Sequence, residues 1–500
     1  MPSAQTVVEL LRAAPAGNTA IILPESGIRI TYENLLDQVM AMAGSLAAVG
    51  IESGHRVASV FPNGLPAIVS FLAASVAGTA SPLNPAYRRD EFKFYLEDVE
   101  ARLLLVPPDG AEDAREAARE WLPVYSVEMD DKGLVGIVGA PTASKARTPH
   151  PDDVALILHT SGSTGRPKRV PIRHSNIGAS AANIGAHYGL TQSDVSLCVM
   201  PLFHVHGLVA SVLSTFLSGG TVVVPAKFSP LSFWRFVRDT KASWYSAVPT
   251  IHSLLLARAG SQRPEGAENL RFIRSCSAAL PAEMMAQMES VFGVPVLEAY
   301  GMTEATHQMA SNPEPPAARK GGSVGPGTGV RISIMDEAGN HLPQGERGEV
   351  VIEGPNVVRE YENNPEATAK SFTNGWFRTG DQGYLDPDSY LVLTGRLKEM
   401  INRGGEKIAP REIDEVLLSH PSVAEAVAFG VPHPTWGEEV AAAVVLRTPE
   451  KESLILAHCK QHLSDFKCPK NLYIVDAIPR TATGKIQRGA IAALLAGGRA

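Results

Sequence analysis

Apolar runs rich in β-branched residues alternate along this chain with amphipathic stretches, and this rhythm constrains the fold more than any other feature. Residues 56–60, 103–106, 154–158, 221–224 and 272–275 have the length and composition of buried strands. Between them, residues 32–49, 231–239 and 283–292 are patterned as helices with one apolar face. Such a βα alternation builds largely parallel sheets covered by helices. Near Arg331 the rhythm changes to short strands separated by turns, at 331–335, 348–353 and 390–394. A distorted β-barrel or a third sheet is expected there. A Gly- and charge-rich strip follows at 398–410. Beyond it, 410–420 and 451–462 read as helices, and 423–430 and 440–446 as strands. That is enough for a compact α+β domain of roughly a hundred residues, an ordinary domain size. The boundary is expected near Arg396-Leu397-Lys398.

Length and charge narrow the class. A chain of 500 residues exceeds one ordinary core, so two or more domains are expected. A formal charge of −7 implies no strongly basic face, which argues against nucleic acid as a partner. The four cysteines, Cys198, Cys276, Cys459 and Cys468, have no CxxC spacing. They fit a reducing compartment and argue against a structural zinc site. The opening Met-Pro-Ser-Ala-Gln-Thr has no basic stretch leading into an apolar one, so no secretory signal is read and the cytoplasm is the expected location. Residues 62–87 carry no charge, but Gly64, Pro66, Gly78, Pro82 and Pro85 interrupt them. A buried helix is expected there rather than a membrane span.

Chemistry enters with His159-Thr-Ser-Gly-Ser-Thr-Gly-Arg-Pro-Lys168. Thr160, Ser161, Ser163 and Thr164 supply hydroxyls. Gly162 and Gly165 let the backbone bend and approach a ligand. Lys168 adds a cation. Successive N–H groups in such a turn form a concave anion site, so the segment reads as a phosphate cradle. It is not the GxxxxGK[ST] loop, because Lys168 follows Pro167 and precedes Arg169.

Five further segments follow in fixed order: Phe203-His-Val-His206, Tyr300-Gly-Met-Thr-Glu-Ala-Thr306, Trp376-Phe-Arg-Thr-Gly-Asp381, Gly395-Arg-Leu-Lys398 and Pro479-Arg-Thr-Ala-Thr-Gly-Lys485. Together with the loop they closely resemble the adenylate-forming superfamily of acyl-CoA synthetases, peptide-synthetase adenylation domains and luciferases. The resemblance covers nearly the whole chain. It implies an α/β fold, with a large N-terminal domain (1–396) of two largely parallel α/β sheets plus a distorted β-barrel. A small mobile α+β C-terminal domain (397–500) would turn about a hinge at Lys398. The implied reaction has two half-steps: a carboxylate attacks the α-phosphate of ATP, and the thiol of coenzyme A then attacks the acyl-adenylate.

The same resemblance implies roles for single residues. The loop from Thr160 to Lys168 would hold the β- and γ-phosphates. Thr303 would contact the α-phosphate, and Glu304 would help hold Mg²⁺. Tyr300 would stack on adenine, with Ala278, Ala279, Glu298, Ala299 and Gly301 around it. Asp381 would accept hydrogen bonds from the ribose hydroxyls, and Arg396 would reach the ribose or phosphate. Lys485 would serve adenylation only. Gly404 and Gly405 would let the pantetheine arm of coenzyme A pass. Arg169 departs from the family, where glycine is usual, and is expected to bind phosphates of ATP or coenzyme A.

By family position the acid lies near His204, His206, Ser277 and His307. In members that use fatty or aromatic acids, the positions of His206, Ser277 and His307 are mostly small or apolar. Here all three can donate hydrogen bonds, which penalises an alkyl tail and favours a short acid with a second carboxylate. Arg274, just before these residues on a strand, is expected to point outward. The stretches Arg274–Leu280 and Glu298–His307 resemble oxalate–CoA ligases of plants and fungi. Ala299 stands where malonate–CoA ligases typically carry arginine. A small carboxylic acid is the partner implied, oxalate first, with malonate or another short- or medium-chain acid as the alternative; no membrane partner is expected, and the protein is expected to be a monomer or homodimer.

Overall fold

The computed structural model describes residues 4–141, 145–160, 167–481 and 486–496. Four sheets organise them. The first has seven strands in the order Val135–Ile137, Val124–Met129, Ala101–Val106, Arg56–Ser59, Thr79–Pro82, Val154–Thr160, Lys168–Arg173. Its inner pairs are parallel, and Lys168–Arg173 closes one edge antiparallel. The second has eight strands and runs His307–Ser311, Val296–Met302, Phe272–Ser275, Trp244–Ala247, Val195–Cys198, Thr221–Val223, Thr19–Ile22, Arg29–Thr31. It too is parallel inside and antiparallel at both ends.

The uncharged stretch forms the helix Leu65–Ala77, which is buried on nearly every side. A helix apolar all round belongs in a core between layers, and this one does. Its end is tight: a Cβ on Gly78 would meet the His55 carbonyl oxygen at 2.4 Å. Among the described residues no helix is long and apolar enough to cross a membrane.

Past Arg331 a third sheet of five antiparallel strands forms, built on Arg331–Met335, Gly348–Glu353, Trp376–Leu385, Phe372–Thr373 and Leu391–Arg396. The chain then passes through a 3₁₀ turn, Leu397–Glu399, into a fourth sheet of five strands. Its long hairpin, Val423–His433 with Gly437–Leu446, extends beyond the apolar runs that mark it in the sequence. The extra rungs, such as Pro432 opposite Glu438, are polar and carry no hydrophobic signal.

Candidate active site

The strand Val154–Thr160 ends where the expected phosphate loop begins, and Lys168–Arg173 starts where it ends, with Thr160 opposite Lys168 in register. Ser161, Gly162, Ser163, Thr164 and Gly165 lie outside the described residues, as does Lys485. The strand Val296–Met302 leads into a short 3₁₀ turn, Thr303–Ala305, which buries Thr303 and Glu304. Glu304 Oε1 accepts from Thr160 Oγ1 at 3.3 Å and from Tyr361 OH at 2.8 Å. Lys168 Nζ lies 4.3 Å from the centroid of the Tyr361 ring. Burial lowers the pKa of Lys168, Glu304 opposes that, and the charge of Lys398 adds to it. Two cations and a carboxylate thus converge at the loop.

A second cluster joins the second and third sheets. Asp381 and Arg396 are paired on adjacent strands, and Arg396 Nε lies 3.0 Å from Asp381 Oδ1. Tyr300 OH donates to Asp381 Oδ2. Glu298 holds the neighbouring loop, its Oε1 accepting from Leu280 N–H at 3.0 Å. Burial raises its carboxyl to about 7, and Oε2 has no hydrogen-bond partner among the described residues. Ala299 is buried, Ala278 half-buried and Ala279 exposed. Gly301 is required by packing: a Cβ there would meet the His307 carbonyl oxygen at 2.3 Å.

The third cluster gathers the residues expected to meet the acid. His206 opens a π-helical segment, His206–Leu213, of a kind frequent at functional sites. Ser277 and His307 hold positive φ values of 71° and 105°, backbone strain that persists only when surroundings enforce it. His206 and His307 are buried with ring centroids 5.1 Å apart. His204 is half-buried, and its Nδ1 accepts from the His206 backbone N–H at 3.2 Å.

Arg274 corrects the sequence reading. It points inward and is 0% exposed. Its NH1 donates to Ser246 Oγ at 2.8 Å and faces His206 Nε2 at 3.4 Å. Its NH2 donates to Gln308 Oε1 at 2.9 Å and faces His307 Nδ1 at 3.4 Å. Its Nε donates to Tyr188 OH at 2.9 Å. None of these partners is a carboxylate. A guanidinium only donates, so the two imidazole nitrogens facing it are acceptors. That assignment leaves His206 Nδ1–H to donate to Ser277 Oγ at 3.0 Å, and frees the Ser277 hydroxyl to donate in turn.

Arg169 is the second correction. Its Nε lies 3.4 Å from Glu362 Oε2 and 3.8 Å from Asp98 Oδ2, and its NH1 3.5 Å from Glu100 Oε1. Successive residues on a strand face opposite ways, so Arg169 is committed to the carboxylates of Asp98, Glu100 and Glu362 while Lys168 faces Tyr361 on the other side. Gly404 and Gly405, at φ of 61° and 97°, turn a hairpin in the fourth sheet. A Cβ on Gly404 would meet the Trp436 ring at 2.8 Å, and Gly404 N–H donates to the Trp436 carbonyl at 2.8 Å.

The sequence reading missed Tyr361, Ser246, Gln308 and Tyr188. A charge inside the apolar strand Phe272–Ser275 was the signal for the Arg274 cluster. Tyr361 carried none.

A family model for AMP-binding enzymes matches residues 10–362, and one for their C-terminal domain matches 412–485. The chain belongs to the AMP-binding enzyme family. Its reaction class is AMP-forming acid–thiol ligation. Among curated relatives, an oxalate–CoA ligase of Arabidopsis thaliana is 46% identical over 93% of both chains. A probable CoA ligase of Humulus lupulus is 46% identical over 97% of this chain and 96% of its own. An oxalate–CoA ligase of Saccharomyces cerevisiae is 44% identical over 95% and 94%. The solved structure of ATP-bound MatB from Rhodopseudomonas palustris, 30% identical, superposes with a TM-score of 0.91 over 99% of both chains. The apo form of the same protein, at the same identity and coverage, gives 0.80.

Proposed function

We propose that this chain is an ATP-dependent oxalate–CoA ligase, forming oxalyl-CoA, AMP and pyrophosphate through an oxalyl-adenylate. The observation that carries this reading is the buried guanidinium of Arg274 with no carboxylate partner among the described residues. An uncompensated buried charge costs several kcal/mol, and an anion arriving nearby offsets that cost. The second carboxylate of a small diacid supplies it. Arg274 is sealed behind His206, His307 and Ser246, so it acts through them and by its field. The relatives named as oxalate–CoA ligases support the same choice.

The acid's reacting carboxylate is ionised at neutral pH and needs no general base. What adenylation needs is alignment of two anions and stabilisation of charge building on the α-phosphorus, the task assigned to Thr303 and Lys485. Lys168 and the loop take the outer phosphates. Tyr300, Asp381 and Arg396 receive the nucleoside. Glu304, beside the hydroxyls of Thr160 and Thr303, offers the hard oxygen donors that Mg²⁺ prefers. When bound, Mg²⁺ neutralises polyphosphate charge. Residues 397–500 then turn about Lys398 and bring Gly404 and Gly405 to the pantetheine arm. The better fit to the ATP-bound MatB form is in keeping with the adenylating arrangement. We place the enzyme in the cytoplasm, in keeping with four free buried cysteines.

The test is pyrophosphate release with ATP, coenzyme A and one acid from a panel of oxalate, malonate, glycolate, acetate and octanoate. Oxalate should have the highest kcat/KM. A preference for acetate or octanoate would overturn the polar-pocket reading, and a preference for malonate would shift the assignment to the longer diacid. In the same assay His307→Ala should lower oxalate turnover about tenfold more than acetate turnover, the size of one lost hydrogen bond to a charged group. An equal loss for both acids would make His307 a structural residue or one that serves the chemistry common to both, and would remove it from acid selection.

A further inference from the structure

We infer that Tyr361 is a positioning residue that orients Glu304 toward the metal–nucleotide and seats Lys168 beside it, an inference that rests on the ligase reading. The two-residue segment Tyr361–Glu362 meets the two-residue segment Lys168–Arg169 face for face. On the site side, the Tyr361 ring lies 4.3 Å beneath Lys168 Nζ, a cation–π contact, and its hydroxyl donates to Glu304 at 2.8 Å. On the far side, Glu362 pairs with Arg169 and also with Arg56, whose NH2 lies 2.8 Å from Glu362 Oε1. The backbone completes the clasp: Glu362 N–H donates to the Arg169 carbonyl at 3.0 Å.

The hydroxyl does something packing does not require. Both donors on Glu304, Tyr361 OH and Thr160 Oγ1, take the same oxygen, Oε1. Oε2 receives no hydrogen bond from a described residue. A carboxylate pinned through one oxygen presents the other in a fixed direction, which is how an outer partner tunes a metal ligand.

Calorimetric titration of the full chain separates this role from packing. Tyr361→Phe keeps the ring beneath Lys168 and removes the hydroxyl, with its bond to Glu304 and its contact with Ser371 away from the metal side. It should weaken binding of Mg·ATP about tenfold, as lost partners of metal ligands do, with ATP in EDTA bound as before. Thr160→Val, which removes the other donor to Oε1, should shift binding in the same metal-dependent sense. Tyr361→Leu should weaken both forms of ATP, because Lys168 loses its seat. An equal change with and without metal in Tyr361→Phe, or no change, would overturn the inference while the ligase reading stands. A wild-type protein that bound neither form would overturn both.

Discussion

Replacing Arg274 by methionine is expected to lower kcat/KM for oxalate about a hundredfold and to leave acetate nearly unaffected. A carboxylate about 6 Å from the guanidinium gains about 3 kcal/mol at an effective dielectric near 20, which is about a hundredfold in binding. A monocarboxylate has no second charge to use that field. The fold should survive, because the groups left behind can pair with one another. Tyr188 OH already bonds Gln308 Oε1 at 3.0 Å and Ser311 Oγ at 2.7 Å. Gln308 Nε2 donates to Thr328 Oγ1 at 3.2 Å, and Ser246 Oγ lies 2.6 Å from His206 Nε2. Removing a buried charge that has no counter-ion among the described residues relieves a desolvation cost, so the melting temperature should hold or rise. Steady-state kinetics with both acids, beside a thermal melt, decide the matter. Unchanged oxalate kinetics in a folded variant would exclude Arg274 from acid selection.

Lys485→Ala is expected to divide the two half-reactions. Adenylation should slow about a thousandfold, the order seen when a donor aimed at developing charge is removed. Thioester formation from supplied acyl-adenylate and coenzyme A should change little. The reason is a division of labour. One face of the site cannot serve pyrophosphate departure and thiol entry together, so a group carried on the C-terminal part can act in one arrangement only. Lys485 is the last residue of the matched C-terminal domain. Rapid-quench measurement of each half-step provides the check. Equal losses in both would refute the proposed division.

Legibility in the sequence followed physical lines. The strands Phe272–Ser275, Arg331–Met335 and Gly348–Glu353 stand where their apolar runs put them. The hairpin around Pro432 and Glu438 outran its signal because ladder hydrogen bonds need no apolar side chain. Tyr300, Asp381 and Arg396, which we propose receive the nucleoside, were legible as short motifs, and the structure brings them together. Arg274 was misread for a definite reason. A strand buried on both faces has no in–out alternation, so parity says nothing about where its one charge points. The π-helical turn at His206–Leu213 lies in a mostly apolar stretch whose pattern an α-helix would share. Tyr361 reaches Glu304 across 57 residues, a meeting that only the third sheet arranges.

The strand Lys168–Arg173 ends its sheet with a neighbour on one side only. It also begins with two consecutive cations. Slipping such a strand by one place would exchange Lys168 for Arg169 beside Tyr361 and Glu304 and place lysine among Asp98, Glu100 and Glu362. By charge alone the two alignments are nearly degenerate. Shape separates them. An aromatic face accepts the lysine ammonium, and a ring of carboxylates engages the arginine fork from several sides. A segment nearly two hundred residues downstream therefore proofreads the alignment of this edge, and the choice of which cation stands beside Glu304 depends on that distant check.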